Sequence, residues 1–104
     1  SPRQLPSHYA PRAPVLLVPA SKRGAPSPED VVRLALGDAA GSCRIPMPPD
    51  PVAYAARLYA ALREADAAEP AAIWVDLPSD AELSGPHGAL WQAILDRLRR
   101  AATR

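Results

Sequence analysis

The sequence predicts an α/β domain: a small Rossmann-like, three-layer fold with a short, mostly parallel sheet of about three strands flanked by helices. Two observations carry this prediction. Short apolar runs bounded by proline or polar residues, "PVLLV" at 14–18 and "AAIWVDL" at 71–77, have the pattern of strands buried on both faces. Between and after them, stretches with capping residues and apolar positions three and four apart have the pattern of helices. The 104 residues give room for one such domain and not for two.

Residues 1–13 contain Pro2, Pro6 and Pro11, each of which removes a backbone donor and pushes its predecessor toward extended geometry. They are expected to form an extended linker, with the folded domain at 14–104. At about 3 Å per residue, its first dozen residues would span about 35–40 Å. After the first strand, "SPED" at 27–30 predicts a helix: Ser27 is the N-cap, Pro28 the first helical residue, and Glu29 and Asp30 sit at the positive end of the dipole. Gly37 is its expected terminator.

"CRIPM" at 43–47 predicts a second strand, which Pro46 confines to a sheet edge. Asp50 and Pro51 then open the clearest helix, on which Ala55, Leu58, Tyr59, Leu62 and Ala65 form an apolar stripe. Glu69-Pro70 ends it. The next strand centres on Ile73, Trp74 and Val75, whose types favour a pleated sheet. A loop from Pro78 to Gly88 leads to a last helix from about Ala89, with Leu90, Trp91, Ile94, Leu95 and Leu98 on one face. Arg97, Arg99, Arg100 and Arg104 lie toward its C-terminal end, where cations complement the dipole.

Composition excludes several function classes. Twelve basic and eleven acidic residues give a formal net charge of +1, which supplies no field for nucleic acid or for an anionic membrane surface, so direct nucleic-acid binding is not expected. No apolar run approaches the ~20 residues needed to span a bilayer, and a soluble, cytoplasmic protein is expected. Cys43 is the single cysteine, which excludes an internal disulfide framework and a multi-cysteine metal site. It is expected to be a small buried hydrophobe. No metal site is predicted.

Ligands of parallel sheets bind beyond the carboxyl ends of the strands. The loop after Val18 offers Lys22, Arg23 and Gly24, readable as an anion-binding loop or as an ordinary solvated basic loop; it lacks both the GxGxxG spacing and the Walker cradle. The loop after Val75 offers Asp76, which could hold a ribose or an ammonium group, or cap the next turn. Spacing brings neither His8 nor His87 to Cys43. By its own chemistry, the chain is expected to lack a catalytic centre.

The opening "SPRQLPSHYAP" resembles the interdomain linker of two-domain threonylcarbamoyl-AMP synthases, whose pattern ends in His-Tyr-Ala-Pro. "RAPVLLV", "MPPDPVAYAARLYAALREADA", "IWVDLP" and "ALWQAILDRLRRAA" are similar, in order, to the first strand, a later helix, a strand and the final helix of that family's carboxy-terminal domain. Arg3 and Gln4 stand where the family has Gly and Met, and residues 19–44 are short for the first half of its domain.

The resemblance implies an accessory domain of an enzyme that makes threonylcarbamoyl-adenylate and pyrophosphate from L-threonine, bicarbonate and ATP, for threonylcarbamoyladenosine formation in tRNA. It implies that this nucleotidyltransferase chemistry, with its ATP and magnesium, belongs to an amino-terminal YrdC-like domain of the same protein, outside residues 1–104. That domain is the expected partner, and this chain is not expected to be catalytic alone. The linker residues His8, Tyr9, Ala10 and Pro11 are the expected gating segment, with Tyr9 or His8 bonding an ATP phosphate or the threonine carboxylate over the active site. Three other readings stay open: His8 and Tyr9 merely dock the linker, the chain is a free-standing nucleotide or small-ligand sensor using its strand-end loops, or it is a pure scaffold.

Overall fold

A computed structural model describes residues 11–36 and 43–102. Four strands, β1 (Val15–Val18), β2 (Val31–Ala35), β3 (Arg44–Pro46) and β4 (Ala72–Asp76), form one sheet in the order β1-β4-β2-β3. Every pairing is parallel. Among the described residues three α-helices accompany the sheet: α1 (Pro51–Ala67), the single-turn α2 (Asp80–Leu83) and α3 (Gly88–Ala102).

The α/β class and the parallel sheet flanked by helices are as expected, but the sheet has a fourth strand, and the described residues of the predicted first helix, 27–36, contain no helix. Residues predicted as a helix from Ser27 to Gly37 instead contain β2, a central strand with all five residues buried. "SPED" is a strong local cap signal. It loses to the β-branched pair Val31-Val32 and to two ladders, one to β4 and one to β3, that bury this segment on both sides. Asp30 contributes a carbonyl that accepts from Ala71 N–H at 2.8 Å, which sets the start of the β2–β4 pairing.

Strand alternation separates two faces. Val15, Leu17, Val32, Leu34, Ile45, Ile73 and Val75 point to one of them, where α1 and α3 pack to build the core. On α1 the deepest residues are Tyr54, Leu58, Ala61, Leu62 and Ala65, so the stripe turns slightly from the expected one, leaving Ala55 and Tyr59 half-buried. Tyr54 meets Trp91 of α3 edge-on, with ring centroids 5.4 Å apart and planes at 63°. The third layer, on the opposite face, is the β1–β2 connection with its 3-10 turn at Ala20–Lys22.

Local chemistry explains the element ends. Asp50 caps α1 by accepting from Ala53 N–H at 2.9 Å, with Pro51 at the first helical position. The 78–88 loop contains a capping box: Ser79 Oγ accepts from Glu82 N–H, while Glu82 Oε1 accepts from Ser79 N–H. Gly88 cannot be replaced by a residue with a Cβ, which would collide with the Leu83 carbonyl. Cys43, expected in the core, is exposed: it lies just before the edge strand β3, beyond the reach of the helical layer.

Candidate functional site

Two ends of the sheet hold the residues of interest. At the amino end, the chain enters the domain through Pro11, which is fully buried, and then through Arg12 and Ala13. The Asp66 carboxylate, in the last turn of α1, receives both following amides. Arg12 N–H donates to Oδ1 and Oδ2 at 3.1 and 3.2 Å, and Ala13 N–H donates to Oδ1 at 3.1 Å. A charged acceptor makes these bonds stronger than neutral ones. Beside this clamp lies an open cavity of about 810 Å³ lined by Arg12, Pro14, Arg63, Asp66 and Glu69. Glu69 itself has φ 52°, a left-handed turn that ends α1 and aims the chain into β4.

Among the linker residues, Pro11 is therefore placed at the anchor. His8, Tyr9 and Ala10 lie outside the described residues. Asp66 is the residue that sequence reasoning missed here. Its one available signal is position, since a carboxylate near a helix C-terminus opposes the dipole and calls for a specific partner.

At the carboxyl end, Asp76 is fully buried on the third-layer face and is paired with Arg33 of β2, also fully buried. Arg33 Nη2 and Nε donate to Asp76 Oδ1 at 2.6 and 3.1 Å, and Leu36 N–H donates to Oδ2 at 2.9 Å. The guanidinium's remaining donors bind the third layer, Nη2 to the Lys22 carbonyl at 3.2 Å and Nη1 to the Ala25 carbonyl. Asp76 thus carries a structural ion pair, and capping of the next turn falls to Ser79.

The structure brings Arg23 to this same end. Its Nη2 donates at 2.7 Å to both the Leu77 carbonyl and Glu82 Oε1, tying the β1–β2 connection to α2. Burial raises the Glu82 carboxyl, but the Ser79 amide, Arg23 and the Ser79 hydroxyl together outweigh it and hold Glu82 below its ordinary value. Gly24 takes φ 84°, which lets the loop turn back over the sheet. Lys22 is exposed. Two buried polar atoms here have no partner, Arg23 Nε and Tyr54 Oη. Burial first, and then the Asp76 charge, push the Tyr54 phenol well above its usual range, while Arg23 opposes them.

Among the described residues no three His, Cys, Asp or Glu side chains converge as metal ligands, and no helix is long and apolar enough to cross a membrane. The carboxyl-end residues fasten the third layer to the sheet; the amino-end residues fasten the incoming chain to α1. The family model described as the threonylcarbamoyl-AMP synthase C-terminal domain matches residues 1–103. No curated protein and no solved structure matches the chain.

Proposed function

We infer the role of this chain from its family: it belongs to the C-terminal domains of threonylcarbamoyl-AMP synthase and so has a role in that tRNA-modification family. In our reading, residues 14–104 are an accessory domain that anchors the linker 1–13 and holds His8 and Tyr9 over the active site of a YrdC-like catalytic domain in the same polypeptide. The Asp66 clamp is the observation that supports this reading. Its bonds to the Arg12 and Ala13 amides begin directly after the His-Tyr-Ala-Pro segment, so the segment has one fixed end.

A fixed end matters physically because a tethered segment three residues from its anchor searches a small volume. The entropy of placing Tyr9 or His8 against a phosphate or carboxylate falls accordingly. The phenol or imidazole then bonds the substrate and excludes water, without taking part in bond making. In this reading ATP and magnesium are held by the catalytic domain, and the enzyme works in the cytoplasm. The described residues offer neither a glycine-rich phosphate loop nor a carboxylate cluster for them.

The test is ATP-dependent pyrophosphate release, with threonine and bicarbonate, by the synthase carrying this domain and by its His8→Ala, Tyr9→Ala and linker-truncated versions. Point changes that cost as much as truncation support gating. Equal activity in all versions overturns it.

A further inference from the structure

In an all-parallel sheet both faces are normally covered. Here the third layer is an irregular connection that closes over Arg33 and stops short of β1. Leu16 of the edge strand β1 and Trp74 of β4 are direct neighbours in register on this face. Leu16 is 52% exposed and Trp74 is only half-buried. They line an open groove of about 360 Å³, together with Pro19, Pro26 and Lys22. The groove's other cation, Arg33, is neutralised by Asp76, so Lys22 gives it a single positive rim.

The Pro14 and Val18 carbonyls accept from the Ile73 and Leu77 N–H groups, and the alternation of a parallel ladder therefore turns the backbone of the buried Val15 and of Leu17 to the outer edge of β1. No charge or proline within Val15–Val18 protects that edge, in contrast to β3 with Arg44 and Pro46.

We propose that the Leu16–Trp74 groove is the docking surface for the tethered catalytic domain, which meets it with an apolar patch carrying a carboxylate opposite Lys22. Two considerations select this occupant over a second copy of the chain. The exposed apolar surface is one cross-strand pair and its rim, short of the ~800 Å² per partner that a stable association between free molecules needs. A tethered partner needs far less, because a short linker holds it at millimolar effective concentration. The tether leaves from the strand that carries the groove: the Asp66 clamp fixes the chain at Arg12 and Ala13, at the amino end of β1.

This inference rests on the reading that the chain works tethered to a catalytic domain, and not on gating by His8 or Tyr9. The experiment uses the intact synthase, with hydroxyl-radical footprinting at Leu16 and Trp74 and zero-length carboxylate–amine cross-linking at Lys22. Docking predicts that Trp74 oxidises several-fold more slowly in the intact protein than in its Leu16→Asp variant, with Trp91 unchanged, and that Lys22 cross-links within one polypeptide to the catalytic domain. Lys22→Glu abolishes the cross-link and keeps the proposal testable should Leu16→Asp not fold. Equal Trp74 oxidation with no cross-link overturns it, as do cross-links only between two polypeptides. Loss of gating in the pyrophosphate assay with Trp74 still protected would remove the linker reading and leave this one standing.

Discussion

Arg33 and Asp76, 43 residues apart and both fully buried, form a 2.6 Å ion pair between the adjacent central strands β2 and β4. The pair satisfies Asp76 on the sheet while spending the guanidinium's other donors on the Lys22 and Ala25 carbonyls, so one side chain holds two layers together. Removing one charge strands the other without water. Arg33→Met is expected to cost about 3–5 kcal/mol in urea unfolding, with the Arg33→Met/Asp76→Leu double variant recovering a large part of it. A double variant no more stable than the single would show that Arg33 acts mainly through the third-layer carbonyls.

Tyr54→Phe should stabilise the domain. The Tyr54 hydroxyl is buried without a partner, and an unsatisfied buried group costs about 1–3 kcal/mol, while the ring's packing on Trp91 survives the change. A gain of about 1 kcal/mol in denaturant unfolding is expected. A loss of stability would mean that the hydroxyl is satisfied by a bound water.

Glu82 makes part of the stability acid-sensitive. Its carboxyl lies below the ordinary value of 4.5 in the folded chain, so its contribution is fully present above that pH and is lost as the pH falls through 4.5 and below. The pair with Arg23 is part-exposed, which limits the effect to less than about 1 kcal/mol. Thermal midpoints at neutral and acid pH should fall further for the native chain than for Glu82→Gln; parallel losses would contradict the assignment.

Much of this fold was legible in local signals. Asp50-Pro51 marks α1, the alanine, isoleucine and tryptophan run marks β4, and Pro46 correctly confines β3 to an edge. The miss at 27–37 has a specific cause. The Ser27–Asp30 cap signal points to a helix, Arg33 interrupts the apolar run that would mark β2 as a strand, and the carboxylate that makes a buried arginine tolerable lies on another strand. Long-range pairing of this kind leaves no mark near Arg33 itself. The Ser79–Glu82 capping box was readable as Ser-x-x-Glu, whereas the Asp66 clamp joins residues more than 50 positions apart and has no local signature.

The linker anchor is the centre of this account, and pyrophosphate release by the synthase carrying Asp66→Ala tests it most directly. Loss of the carboxylate removes its bonds to the Arg12 and Ala13 amides without substituting His8, Tyr9 or any core residue. The predicted result is activity reduced to the level of the His8→Ala or Tyr9→Ala protein, with the thermal midpoint of the domain largely kept. Full activity from a folded Asp66→Ala protein would contradict the anchor.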